Sequence, residues 1–166
     1  MNQPEENQSG LSIGLSAEIL RDHGWEAFVS NSPFSAPHGE MYQKIDADGA
    51  CWRAFHAQHM HCNSARIVHG GMMVTFVDAL MGLTVANSAK STALTVRLTT
   101  DFLSISRPGD WIIGQGRVTK LTRSVAFVEA EAHIGALLGD SVTKTRPLLS
   151  AQGIFKLMRQ RKPRTE

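Results

Sequence analysis

The spacing of apolar and polar positions changes character several times along the chain, and each change predicts an element. Ile13, Ile19 and Leu20 suit a short amphipathic helix from about Ser12 to His23, with Gly24 as its stop. Trp25 to Ser30 reads as a strand, and Asn31 to Gly39, with its two prolines, as a loop. Strand-like runs follow at Met41–Ile45 and Ala50–Gln58, separated by the turn residues Asp46, Asp48 and Gly49.

From Gly70 to Ala89 the pattern is different. Met72, Met73, Val74, Phe76, Val77, Ala79, Leu80, Met81, Leu83 and Val85 put apolar groups on nearly every side of one helix. Such a helix belongs inside a domain, surrounded by other structure. It has the length of a membrane span, but Asp78 stands midway and polar residues intervene, so a membrane role is rejected.

Beyond the helix the period falls to two. Leu94, Val96, Leu98, Thr100 and Phe102 are expected on one strand face, with Thr95, Arg97, Thr99 and Asp101 on the other. Pro108-Gly109-Asp110 marks a turn. Strands are expected at Trp111–Leu121, Ser124–Ile134 and Leu148–Met158, with a hairpin-like break at Gly135–Asp140. Strands, one buried helix and a run of antiparallel strands together predict an α+β domain whose curved sheet wraps a central helix.

Composition narrows the class. The 166 residues suffice for one domain with a real core, and 42% hydrophobic with 19% charged residues is ordinary for a globular protein. Met1 to Gly10 is polar and acidic, so it is expected to be disordered and does not read as a signal peptide. The two cysteines, Cys51 and Cys62, suit a reducing compartment, and a cytoplasmic location is expected. The net charge of +2 is unevenly placed: Lys156, Arg159, Arg161, Lys162 and Arg164 crowd the last eleven positions, leaving 12 basic and 14 acidic residues elsewhere. That basic tail reads as a solvated tail able to meet ligand phosphates. No aromatic residue is interleaved with its charges, so no nucleic-acid partner is expected.

Candidate chemistry concentrates in Asn63-Ser-Ala-Arg-Ile-Val-His69-Gly70-Gly71 and in Asp78 on the buried helix. Two glycines at a helix entrance allow close ligand approach and leave the first backbone N–H groups unobstructed, where the helix dipole helps them hold an oxyanion. A buried carboxylate is costly unless it is paired, faces a cavity or is catalytic. Gly70 and Asp78 stand eight residues apart, roughly 12 Å along a helix axis. Both cannot touch one reacting carbonyl from the same helix. If they cooperate, Gly70 of one copy meets Asp78 of another across a two-fold axis, with two sites per dimer.

Asn63, His69-Gly70-Gly71, Asp78 and the later Phe102-Leu-Ser-x-x-x-Pro108-Gly-Asp run resemble the hotdog thioesterases of the phenylacetate-degradation (PaaI-like) type, over about Met41 to Met158. The resemblance implies a hotdog domain at 41–158, flanked by a helix-and-loop segment at 11–40 and the tail at 159–166. It implies hydrolysis of an acyl- or aryl-acyl-CoA to free acid and CoA, in a dimer or tetramer, with no cofactor beyond the CoA of the substrate. Asp78 takes the place of the base or nucleophile, and Gly70 that of the oxyanion donor. Asn63 would help hold the carbonyl or the water, His69 would position the loop, and Thr95 would orient water. The family's Gly-Arg/Lys-Thr element reads Thr122-Arg123-Ser124 here, where Arg123 and Ser124 would meet the CoA edge. Gly71, Met73 and Phe76 are expected at the substrate, with Met72 and Met81 completing an adaptable apolar wall.

Other chemistries are disfavoured. His56, His59, His61, His69 and Cys62 lack the tight pairs of a zinc site, so no metal is expected. No P-loop, dinucleotide loop or Gly-x-Ser-x-Gly elbow is present. Two rivals to hydrolysis remain: a non-catalytic acyl-CoA-binding module, and a hotdog hydratase or dehydratase.

Overall fold

The computed structural model describes residues 12–138 and 140–158, so the segments 1–10 and 159–166 expected as a disordered start and a basic tail lie outside the described residues. In chain order the elements are β1 (Ser12–Gly14), α1 (Ala17–Asp22), β2 (Glu26–Val29), β3 (Glu40–Ile45), β4 (Cys51–His56), α2 (Gly70–Ala89), β5 (Ala93–Phe102), β6 (Trp111–Leu121), β7 (Val125–Leu138) and β8 (Ser141–Leu157). Short 3-10 turns lie at Ala36–His38 and His59–His61. The strands pair antiparallel in the order β2-β3-β4-β6-β7-β8-β5, with β1 added against the end of β7. This is the expected hotdog arrangement, a curved sheet around one long helix.

Strand β6 shows how the sheet admits the helix. A Cβ on Gly114 would lie 2.8 Å from Phe76, and one on Gly116 would lie 2.2 Å from Thr84 Oγ1. Glycine at both positions lets α2 press against the backbone. Met72, Met73, Phe76, Val77, Leu80, Met81 and Val85 fill the concave side with Phe55, Ile112, Leu148, Leu149 and Phe155. Within one chain the sheet covers only this side of α2. The opposite stripe of Thr75, Asp78, Ala79, Gly82 and Ala86 is half-buried and Gly71 is exposed, so the helix is not enclosed all round as its composition implied.

The N-terminal elements make a second core on the other face of the sheet. Leu15, Leu20 and Trp25 pack with Tyr42, Ala54 and Ile113 there. The helix predicted over Ser12–His23 is shorter than expected, because Ser12–Gly14 is a strand paired with Ala136–Leu138. Ser16 starts α1 by accepting a hydrogen bond from Ile19 N at 3.2 Å, and Gly24 at φ +78° ends the turn. The expected break at Gly135–Asp140 is also displaced, since β7 continues to Leu138. Gly135 is a packing position rather than a turn: a Cβ there would lie 2.5 Å from Leu15 and 2.7 Å from Ile113.

The clean alternation expected along β5 is broken. Thr95 pairs with Phe155 and Arg97 with Ile154, neighbours on β8, so Val96 is the extra residue of a β-bulge. The bulge turns Thr95 onto the face of Leu98, Thr100 and Phe102, while Leu94 joins Arg97 and Thr99.

Candidate active site

The loop before α2 is built by its own backbone. Asn63 N–H donates to Ile67 O, and Asn63 Oδ1 accepts from Ala65 N at 3.0 Å and Ile67 N at 3.4 Å. Arg66 closes the turn in the left-handed region at φ +58°. Val68 N–H donates to Ser106 O and His69 N–H to His61 O, which fixes the entrance of the helix from two sides. Asn63 is therefore a loop organiser whose carbonyl oxygen is already engaged.

A helix start leaves its first N–H groups without intrahelical partners. Here His69 is the N-cap, and its Nδ1 accepts from Gly71 N at 2.8 Å. Met72 N and Met73 N donate to His69 O at 2.9 and 3.2 Å. Gly70 N–H donates to no acceptor among the described residues. The aligned peptide dipoles of α2 place partial positive charge at this open donor. The edge of the Phe102 ring stands beside it, 3.3 Å from where a Gly70 Cβ would be.

Asp78 lies on the open stripe of α2, half-buried, and its Oδ1 accepts from Thr95 Oγ1 at 2.8 Å. The bulge at Val96 is what brings Thr95 to that position. Thus Asp78 and Thr95 meet, and His69, Gly70 and Gly71 meet, but the two groups remain separate in one chain. Eight residues of α2 hold Asp78 and Gly70 roughly 12 Å apart along the axis.

The expected substrate contacts divide. Gly71 is exposed beside Gly70. Met73 and Phe76, at 4% and 0% exposure, are packed into the core and offer no surface to a ligand, as are Met72 and Met81. Their helical positions face the sheet, which the all-round apolar pattern of α2 could not reveal. Arg123 and Ser124 are exposed in the β6–β7 turn. Leu157 N–H donates to Ser124 O and Met158 N–H to Thr92 O, so this turn adjoins the C-terminal end of α2, the opposite end from Gly70.

Apart from His59, the residues picked out for a metal have other partners. His56 stacks on Trp111 with ring centroids 5.1 Å apart, and Cys62 Sγ donates to Gln58 O at 3.4 Å. His61 is 4% exposed, its Nδ1 accepts from Gln58 N, and its Nε2 bonds His38 O, both at 3.0 Å. Burial holds the His61 imidazole below the usual histidine range. Sequence reasoning assigned no role to His61 or Phe102. The only signal for Phe102 was its place in the Phe102-Leu-Ser run, and His61 had none apart from its place in a histidine-rich run.

A cavity of about 720 Å³ lies over β6, β7 and β8, but none of Asn63, His69, Gly70, Asp78 or Thr95 lines it. The chemical groups sit instead on the uncovered side of α2. An open N–H at a helix start can hold negative charge developing on an oxygen, and a carboxylate steadied by a strand hydroxyl can accept a proton. Comparison with known proteins gives the family. The thioesterase-superfamily profile matches residues 65–136. A Pseudomonas aeruginosa protein, provisionally named as an esterase, is 31% identical over 136 residues, covering 81% of this chain and 95% of its own. The chain belongs to the thioesterase superfamily. As a member it is a thioester hydrolase, and solved structures share its fold. Zebrafish thioesterase superfamily member 2 aligns with a TM-score of 0.65 at 18% identity, over 77% of this chain and 89% of that one. A hypothetical thioesterase of Streptococcus pneumoniae, determined with coenzyme A, aligns at 0.63 and 17% over 74% and 88%. The E. coli PaaI protein of the phenylacetic acid degradation operon aligns at 0.57 and 14% over 66% and 72%.

Proposed function

We propose that this thioesterase hydrolyses acyl-CoA thioesters at two equivalent sites, each made from two copies of the chain. The observation that carries the reading is the separation of an unengaged Gly70 N–H from the Thr95-held Asp78 carboxylate on the open stripe of α2. The coenzyme A in the Streptococcus pneumoniae relative supports the choice of acyl carrier.

A single two-fold axis accounts for both halves. Gly70 adjoins Phe102 and Asp78 adjoins Thr95, so the helix pair centres on Val74 and, with the bulged Val96 set aside, the strand pair centres on Thr99. Strand β5 is a free edge of the sheet and exposes Leu94 at 57% and Val96 at 63%. Unpaired edges of this kind seek another strand. Antiparallel pairing of two β5 edges about that centre sets Thr95 opposite Phe102 of the partner subunit. It also sets Asp78 opposite Gly70 of the partner subunit. The small side chains of Thr75, Ala79 and Gly82 let the two α2 helices approach.

In that site Gly70 N–H holds the thioester oxygen as negative charge develops on it. Asp78 Oδ1 is held by Thr95, which leaves Oδ2 to take a proton from the attacking water. The water oxygen bonds to the acyl carbon, the C–S bond breaks, and the proton on Asp78 passes to the departing CoA thiolate. The chemistry asks for water alone.

Thiol release from a panel of acyl- and aryl-acyl-CoAs tests the reading, with Asp78→Asn run beside the wild type. Removing the base is expected to lower kcat at least about a hundredfold while leaving acyl-CoA binding intact. Wild-type turnover by Asp78→Asn would overturn the residue assignment. Tight acyl-CoA binding with no thiol release from either protein would overturn hydrolysis itself.

A further inference from the structure

We propose that His61 is a positioning residue for the Gly70 donor, and that it performs this role only as the neutral imidazole. The inference rests on the proposed site but concerns a residue outside it.

Three chain segments converge on this side chain. Gln58 N–H donates to Nδ1 at 3.0 Å, which requires a free lone pair there and puts the ring proton on Nε2. Nε2–H in turn donates to His38 O at 3.0 Å, tying down the loop that ends at Gly39. The ring stands edge-on to Phe55 with centroids 5.4 Å apart, and Phe55 leans on Phe76 of α2 at 5.0 Å. With the ring held, the His61 carbonyl is held, and it accepts the His69 N–H at 2.8 Å. His69 is the N-cap whose Nδ1 and carbonyl engage the Gly71, Met72 and Met73 amides, leaving Gly70 N–H open. The ring of His61 thus acts on the donor through a single backbone hydrogen bond.

A proton on Nδ1 cannot coexist with the Gln58 N–H bond. Protonation removes that bond and places a charge at a position 4% exposed. Among the described residues, His38 and His56 are the titratable groups whose charge reaches the ring, neither is a carboxylate able to stabilise a cation, and His38 Nε2 is itself buried without a partner. Burial favours the neutral form, so the folded chain binds this proton less readily than the unfolded chain. The stabilisation from the lock is present above the ordinary histidine range and is lost as pH falls through the lowered folded value.

His61→Asn and His61→Leu test the proposal, with thermal melts and circular dichroism confirming the folded fraction of each. Asparagine can accept from Gln58 N–H but does not titrate, whereas leucine does neither. For His61→Leu, kcat per folded molecule is expected to fall about tenfold with KM within about twofold, as for a displaced transition-state contact. His61→Asn is expected to recover most of that loss at neutral pH and to lack the wild-type fall in kcat that sets in below the ordinary histidine range. Wild-type kcat per folded molecule in His61→Leu, or an unchanged acid limb in His61→Asn, would overturn the proposal. An activity-free arm separates it from the proposed function. In wild-type protein the Gly70 and His69 amide resonances are expected to move with the His61 imidazole titration, and in His61→Asn that movement disappears. Should wild-type protein release no thiol, these resonances still decide the role of His61; their indifference to its protonation would refute it.

Discussion

At the scale of single residues, Thr95 is the sharpest test of the site. Its hydroxyl donates to Asp78 Oδ1, a hydrogen bond to a charged acceptor that ordinarily contributes about 1.5–3 kcal/mol. Thr95→Val keeps the shape and removes the donor. It is expected to lower kcat about tenfold, corresponding to ~1.4 kcal/mol of lost alignment, with KM changed much less. Steady-state kinetics on a single acyl-CoA decide this, and an unchanged kcat would leave Thr95 as an ordinary strand residue. Asp78 was legible in the sequence because a carboxylate amid apolar neighbours needs a reason to be there. Gly70 was legible because its place at a helix start defines its chemistry. Met73 and Phe76 were equally conspicuous, but whether a side chain faces the sheet or a ligand is settled by what stands opposite it, for Phe76 here Gly114 and Phe55.

At the scale of elements, the sheet separates stability from chemistry. Helix α1 and its neighbours pack on one face, while α2 and the site lie on the other. Leu20 is fully buried in the α1 cluster, and Leu20→Ala is expected to cost about 2–5 kcal/mol. A thermal melt should show that loss, while kcat per folded molecule stays near wild type; a parallel collapse of kcat would mean that the two faces are coupled. Strand β5 shows a limit of pattern reading. Its period-two alternation was correctly seen as a strand, yet Val96 shifts the phase and reverses the side of Thr95. A bulge is decided by the partner strand, and a single strand's sequence does not contain its partner.

At the scale of the whole molecule, the proposed site is a property of a pair. Gly70→Pro removes the donor and asks only a small shift of the exposed Phe102 ring, which stands 3.3 Å from a Cβ at this position. Proline lacks the N–H, suits the first position of a helix, and follows His69, whose φ of −64° and ψ of 135° are acceptable before proline. Gly70→Pro and Asp78→Asn are each expected to be inactive alone. Unfolded and refolded together, they should form mixed dimers with one intact site, from Gly70 of one chain and Asp78 of the other. Random pairing then returns about a quarter of wild-type activity. Thiol release by the mixture checks this, and no recovery from a mixture shown to exchange subunits would refute the shared site.

Several things followed from the amino-acid order alone: a single long apolar helix among antiparallel strands, the glycine-led helix entrance, the isolated Asp78, and the arithmetic that keeps Gly70 and Asp78 apart. Each depends on local periodicity or on the fixed rise of a helix, which nearby residues carry within themselves. Tertiary structure decided which side of α2 is covered, that Gly70 N–H is the donor left open while its neighbours are capped, that a bulge delivers Thr95 to Asp78, and that His61 braces the entrance. These depend on hydrogen-bond partners and packing contacts contributed by residues far away in the chain. His61 and His38, 23 positions apart and joined through one ring nitrogen, illustrate the reason: the sequence names both residues, and only folding makes them neighbours.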